Sequence, residues 1–514
     1  MKEKLLKSTL VVSLMTFLSR ILGFVRDIVI ARLLGAGMGA DVFFVAFKIP
    51  NFLRRLFAEG AFSQAFIPVL AEYRERGDQD LKQLIAATSG TLAGVLFFIT
   101  LIGVIAAPII ILIFAPGFID QPEKLQLARE LLRITFPYIL FVSLTALASS
   151  ILNSFGKFAV PAFTPVFLNI SMIGCALWLA PHLDEPVKAL AWGVFIGGGV
   201  QLLFQMPFLM KIGSLPKPHW AWKDEGVQKI LRLMIPAMFG VSVSQINLLL
   251  DTLLASFLIT GSISWLYYSD RLVEFPLGIL GIALATVILP NLSKKHATAS
   301  MQEFSHTIDW ALRWVFLIGT PAAIGLIILA EPLLLTLFQY GEFTPNDAHQ
   351  ASLSLMAYGL GLLPFIFIKV LAPGFYARQD TKTPVKIGII AMISNMGLNI
   401  VLMIYLAHVG LALATALSAM LNAGLLYYTL RKKAVYQPIA GWGLFFVRML
   451  LANIVLVAFL LWVTPINGDW ISWSGWHRFG ILMGLITTSA IVYFAVLTLC
   501  GVRLKTLVTP QSQE

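Results

Sequence analysis

The chain has 514 residues, of which 58% are hydrophobic and only 12% charged, about half the charged share of ordinary soluble domains. Its mean hydropathy is +0.84, more apolar surface than soluble cores can hide. The several soluble domains that the length alone would suggest are therefore excluded, as are collagen-like, disordered and disulfide-rich secreted classes. The net charge of +11 would suggest nucleic acid in a soluble protein; here its placement in the chain carries the information, and no nucleic-acid partner is implied. The composition predicts an all-α polytopic membrane protein.

The amino terminus, Met1-Lys-Glu-Lys-Leu-Leu-Lys7, is basic and leads into an apolar stretch without an obvious small-residue cleavage site, so it reads as an uncleaved first span. A membrane-crossing helix needs about 20 largely apolar residues. Charge-free runs lie at 83–119, 134–156, 158–183, 189–210, 314–330, 348–368, 387–430, 449–468 and 479–502, with shorter seeds at 233–250 and 275–293. The run 387–430 holds two spans divided near His408-Val-Gly410, and charge-bearing helices are expected near 9–34 and 41–71. The expected total is about 14 transmembrane helices. Cys175 and Cys500 both sit in apolar runs, which argues against a disulfide framework.

Loop lysines and arginines set orientation. With the amino terminus inside, the inner segments hold clusters such as Arg74, Arg76 and Lys82; Lys211, Lys217, Lys223 and Lys229; Lys294 and Lys295; Arg378, Lys382 and Lys386; Arg431 to Lys433; and Arg503 with Lys505. The outer segments hold only Lys124, Arg129, Lys188 and Arg478. This alternation predicts cytoplasmic termini and an even number of spans.

The chain also repeats itself. Phe24 to Gly35 resembles Leu248 to Ile259 and places Asp27 over Asp251; Phe66-Ile-Pro68 matches Ile288-Leu-Pro290; Pro161 matches Pro384. The near-equal offsets predict two pseudo-symmetric six-helix lobes, 1–215 and 225–433, around a central cavity. A cytoplasmic linker, 216–224, joins them, and 434–514 adds two C-terminal helices. Six spans per repeat make the lobes parallel, an arrangement of transporters. The link Lys211 to Glu225, with Trp220 and Trp222, reads as an interfacial tether, and the outer loop Asp469 to His477 as an aromatic belt. The basic inner face suits anionic lipid headgroups.

A second group of charges lies inside the predicted spans. The first span carries Arg20, Arg26 and Asp27, with Arg20 and Asp27 seven apart on one face. The second carries Asp41, Lys48, Asn51, Arg54, Arg55 and Glu59; Asp41, Lys48, Arg55 and Glu59 share a stripe, and Pro50 offers a kink. The eighth carries Asp270, Arg271 and Glu274, and Lys369 lies in the tenth. Four arginines at helix centres, Arg20, Arg26, Arg54 and Arg271, would cost on the order of 10–14 kcal/mol on insertion scales, and such residues usually face a bundle interior or water-filled cavity. Interhelical salt bridges are the alternative use for them. The interior set is net basic and suits an anionic substrate, because arginine forks match phosphate oxygens bidentately.

Ser19-Arg-Ile-Leu-Gly-Phe-Val-Arg-Asp27, Asp41 to Ser63, Pro68, Tyr267 to Pro276 and Ala372 to Pro384 closely resemble the lipid II flippases of the MurJ family, across nearly the whole chain. The resemblance implies the multidrug/oligosaccharidyl-lipid/polysaccharide exporter fold and transport of an undecaprenyl-pyrophosphate-linked peptidoglycan precursor from the inner to the outer leaflet of the bacterial cytoplasmic membrane. By motif position, the essential cavity arginines fall on Arg20, Arg26, Arg54 and Arg271, with Asp41 as a supporting acid. The expected substrate set is then Arg20, Arg26, Asp27, Asp41, Lys48, Asn51, Arg54, Arg271, Glu274 and Lys369. The last two helices offer a groove for the polyprenyl tail.

Asp251, Asn395, Asn399 and Thr415 resemble a sodium site of some members, with interhelical hydrogen bonding as the alternative; sodium or the membrane potential is the expected driving force, with no cofactor. A polysaccharide-subunit flippase is the nearest rival, followed by a cation-coupled drug exporter of the same fold, which would centre on unpaired carboxylates. A membrane enzyme would need clustered acids or histidines, and the seven histidines do not pair at metal-ligand spacing. No Gly-Lys-Ser/Thr phosphate loop appears.

Overall fold

The computed structural model describes residues 2–215, 217–281, 301–465 and 467–502. Among them it contains helices and no strand, as a lipid solvent requires of a chain that must satisfy every backbone N–H and C=O internally. Nine helices are long and apolar enough to cross a membrane among the described residues, including 78–105, 187–211, 345–376 and 442–463. Ile288 to Pro290, Lys294, Lys295, Arg503 and Lys505, used above for the repeat and orientation, lie outside the described residues, as does the side chain of Glu59.

The chain divides into two compact units, Met1–Ser264 and Trp265–Glu514. In the first, Phe62, Phe66, Leu84, Ile151, Leu152 and Leu209 meet in one apolar cluster. Helix Val187–Lys211 approaches its neighbours at glycines four apart. A Cβ on Gly193 would stand 2.8 Å from the Met172 Cα, and one on Gly197 would stand 2.9 Å from Leu168, the close packing that small residues permit in membranes. Polar side chains reinforce it, with buried Gln205 donating to Ser149 and Thr164 hydroxyls at 2.8 Å.

The predicted tether is docked along one helix. His219 N–H donates to the Ala86 carbonyl at 3.3 Å and Ala221 N–H to Thr91 Oγ1 at 3.1 Å. Gly90 and Gly94 make room for it, since a Cβ on Gly94 would meet the Trp220 ring at 2.5 Å. Asp224 then caps helix Glu225–Ala255 by accepting from Gly226 and Val227 N–H groups.

In the second unit, helix assignment runs unbroken from Lys382 to Lys432, but Ala407 has φ 48° and ψ −130° inside it. The break falls beside the predicted division near His408 and makes two antiparallel arms. Gly410 permits the tight return, because a Cβ there would lie 2.2 Å from the Leu402 carbonyl oxygen. The two final helices are fastened to this unit at three points. Tyr493 Oη donates to the Leu317 carbonyl at 2.8 Å. Arg478, only 6% exposed, donates to the carbonyls of Leu335, Ile471 and Trp473 and to Gln339. Asp309 accepts from Tyr436 Oη, Ile439 N–H and Trp442 Nε1.

Four π-helical segments occur among the described residues, and two of them follow a helix with a proline in its last turn. Arg54–Phe62 follows the helix containing Pro50, and Leu277–Gly281 follows Pro276. Their first residues are 223 apart, the same offset that relates Pro161 to Pro384. Pro50 and Pro276 each withhold one N–H from the ladder shortly before the wider turns begin.

Candidate functional site

The first unit gathers most of the predicted cationic set. Helix Lys2–Leu34 carries Arg20, which is exposed, and Arg26 with Asp27, which are buried. Arg20 makes no ion pair among the described residues, so the face predicted for Arg20 and Asp27 is not a shared contact. Arg26 instead donates Nε and Nη2 to Asp27 Oδ1 at 3.0 and 2.7 Å, and Nη1 to Asn169 Oδ1 at 3.1 Å. Asn169 in turn donates to the Ser19 carbonyl at 3.2 Å. The guanidinium is thereby held from two sides, by a carboxylate and by an amide. Sequence reading passed over Asn169, although it is the only asparagine in the otherwise apolar run 158–183.

Arg54 opens the π segment and donates Nε to Asn51 Oδ1 at 2.8 Å. Wider turns advance each residue by less than the roughly 100° of an α-helix. The predicted stripe through Asp41, Lys48, Arg55 and Glu59 enters this segment after Lys48. Lys48 and Arg55 are half-buried.

Asp41 occupies a separate, closed setting. It is 1% exposed and accepts from Lys124 Nζ at 3.2 Å, Gly261 N–H at 2.8 Å, and Ser264 N–H and Oγ at 3.0 and 2.7 Å. Lys124, taken above as an outer-loop charge, is also 1% exposed and lies 4.6 Å from the Phe118 ring centroid. A buried carboxylate with four donors is paired and satisfied, as burial demands.

In the second unit, Arg271 Nη1 donates to Glu274 Oε2 at 2.7 Å one turn on, and its guanidinium lies 6.0 Å from the Tyr267 ring centroid. Lys369 is exposed on helix Pro345–Tyr376. Asn395 and Asn399 are fully buried; Asn399 Nδ2 donates to Asn395 Oδ1 at 3.0 Å, and Asn395 Nδ2 to Thr415 Oγ1 at 3.5 Å. These three residues meet across the two arms of the hairpin. Asp251, half-buried, belongs to the first unit. No group of three or more metal-ligating side chains occurs among the described residues.

The family model for the lipid II flippase MurJ matches residues 30–474. The chain belongs to the MurJ family. It is 56% identical over 513 residues to a probable lipid II flippase MurJ of Vibrio cholerae, covering 98% of each chain. It is 55% identical over 509 residues to one of Haemophilus influenzae, covering 96% of this chain and all of the other. A Burkholderia cenocepacia lipid II flippase MurJ is 44% identical over 504 residues, covering 97% and 98% of the two chains. Among solved structures, a lipid II flippase MurJ in an inward closed conformation superposes with a TM-score of 0.80 at 28% identity, over 95% of this chain and 98% of that one. An inward-facing multidrug transporter of the MATE family superposes at 0.68 with 15% identity, over 81% and 95%, a likeness of fold alone. The chain is thus a multi-pass transporter of the cytoplasmic membrane.

Proposed function

We propose that this chain carries lipid II, the undecaprenyl-pyrophosphate-linked peptidoglycan precursor, from the inner to the outer leaflet of the cytoplasmic membrane by alternating access, with both termini cytoplasmic. The observation that carries the reading is the Arg26 fork held by Asp27 and Asn169 inside a membrane helix. A leucine would serve a purely structural helix better, whereas an oriented guanidinium serves a pyrophosphate. The names of the relatives, at up to 56% identity over nearly the full length, support the same substrate.

In this reading Arg20, Arg26 and Arg271 hold the pyrophosphate, while Asn51, Arg54, Lys48, Glu274 and Lys369 meet sugar, peptide or neighbouring basic groups. Asp27 orients Arg26. Asp41, closed off by four donors, supports the scaffold rather than touching the substrate. The lobes 1–215 and 225–433 are the moving parts, and 434–514 receives the polyprenyl tail. Sodium through Asp251, Asn395, Asn399 and Thr415, or the membrane potential, drives the cycle; exchanging sodium for potassium in vesicles separates the two.

The direct test is lipid II translocation in proteoliposomes. Arg20→Ala and Arg26→Ala are each expected to lower it at least tenfold, and full transport by either variant would defeat the assignment. Depletion in cells distinguishes the nearest rival: lipid II should accumulate on the inner leaflet, and accumulation of another lipid-linked glycan with lipid II export intact would move the substrate.

A further inference from the structure

Helix Ser262–Pro276 carries Arg271 and Glu274, and the direction in which they project depends on how that helix is rotated. Two hydrogen bonds connect it to helix Pro345–Tyr376. Trp265 Nε1 donates to Asp347 Oδ1 at 3.0 Å. One turn later the single hydrogen of Ser269 Oγ is shared between the Ala351 carbonyl and the Trp265 carbonyl of its own helix, each at 2.6 Å. The partners are four residues apart on both helices, so the bonds form two successive rungs at a constant offset.

Both rungs have fixed abutments. Asp347 Oδ2 is held by Thr344 N–H and Oγ1 at 2.9 and 2.7 Å in the capping box of its helix, which leaves Oδ1 aimed at the indole. The Trp265 ring also lies 4.9 Å from the His408 ring, and His408 Nε2 is 3.1 Å from the Gln350 carbonyl. Ser269 is fully buried.

At about 100° per residue, Trp265 and Ser269 share a face whose centre is roughly 190° from the mean direction of Arg271 and Glu274. Burial follows the same division. Trp265, Tyr268, Ser269, Leu272 and Val273 are buried, whereas Tyr267, Asp270 and Arg271 are half-buried and Glu274 is exposed. Apolar packing alone would tolerate a helix turned by part of a residue; two directional bonds would not.

We propose that Asp347 and Ser269 are positioning residues for transport: with Trp265 they fix the rotation of this helix and so keep Arg271 and Glu274 on its open side. Neither touches the substrate; they act through Arg271, and the consequence for transport rests on the reading that Arg271 holds the pyrophosphate. A displacement of the order of 1 Å in such a group is enough to cost up to a hundredfold.

The test uses the full chain in membranes, with Cys175→Ser and Cys500→Ser, and Arg271→Cys, Val273→Cys or Glu274→Cys introduced one at a time. A membrane-impermeant maleimide is expected to label 271 and 274 and to spare 273. In the Asp347→Ala, Ser269→Ala double variant, labelling of 273 should rise at least threefold relative to 274. Lipid II transport by the same double variant, with Arg271 in place, should fall about tenfold. Asp347→Asn, which keeps the acceptor, should restore both. Loss of transport with an unchanged labelling pattern would overturn the proposal, as would a double variant that keeps parental transport and labelling. If the double variant is not monodisperse in detergent, Trp265→Phe carries the same test, since it removes the donor and keeps a ring against His408. Full transport by Arg271→Ala would instead defeat the substrate-site reading, and the labelling would still decide the rotation.

Discussion

Replacing Asp309 with alanine should loosen the final pair of helices from the rest of the second unit. The carboxylate is 1% exposed and accepts four bonds: Tyr436 Oη at 2.8 Å, Trp442 Nε1 at 2.7 Å, Ile439 N–H at 3.1 Å and Arg313 Nε at 2.8 Å. Three of these donors belong to the connection that leads into helix Trp442–Val463. Arg313 continues the clamp, with its guanidinium 4.9 Å from the Trp442 ring centroid and Nη2 on the Ala440 carbonyl. Removing one member of a buried, hydrogen-bonded ion pair costs about 3–5 kcal/mol, because the partner's charge and donors are left unsatisfied. For a unit of about 250 residues that corresponds to a fall in Tm of roughly 10 °C. The measurement is a thermal melt in detergent followed by size-exclusion chromatography, with lipid II transport assayed at a temperature where the variant is still folded. Asp309→Asn keeps an acceptor and should lose less than half as much. A shift within ~2 °C for the alanine variant would refute the reasoning, because four satisfied bonds to a buried carboxylate cannot be that cheap to lose.

Three further outcomes follow from particular contacts. Asn169→Ala removes the amide that holds Arg26 and its own bond to the Ser19 carbonyl and should lower lipid II transport about tenfold while costing no more stability than the ~2 kcal/mol of two hydrogen bonds; parental transport would show that Asp27 alone orients Arg26. Gly410→Ala places a Cβ 2.2 Å from the Leu402 carbonyl oxygen, so the hairpin must open, at about 1–3 kcal/mol, read as a lower Tm. Asp380, in the loop between helices Pro345–Tyr376 and Lys382–Lys432, is held down to a pKa of about 2 first by the Lys433 ammonium and then by the Thr383 hydroxyl. Its contribution is present above the usual carboxylate value near 3.8 and is lost as pH falls through about 2. Screening at this partly exposed pair limits it to ~1 kcal/mol or less. The Tm difference between the parent and Asp380→Asn should therefore be largest above pH 5 and vanish near pH 2, and a difference that persists there would remove the pair as its cause.

How much was legible beforehand differs from residue to residue. The hairpin break beside His408 was readable because 44 charge-free residues exceed one bilayer crossing, and the motif around Arg26 and Asp27 was readable because charge is conspicuous in an apolar helix. The division of the first span into exposed Arg20 and clamped Arg26 was not, since it depends on Asn169, 143 positions away. Lys124 looked like one more outer charge until its ammonium was found against Asp41, and Arg478 until four acceptors were found around it. The π segment that opens at Arg54 was not legible, because a π turn changes the angular step without any change in hydropathy.

The amino-acid sequence by itself determined the solvent and the architecture: a bilayer admits only segments that satisfy their own backbone, so length, apolarity and the placement of loop lysines dictate helices and their alternation. It also announced the family, through motifs whose charges are too costly to be incidental. Tertiary structure alone decided which of the 12% of charged residues are joined to one another. Ion pairs such as Asp41 with Lys124, and hydrogen bonds such as Asp309 with Trp442, act over about 3 Å between residues 83 and 133 positions apart. Only the packing of helices brings such groups within that range.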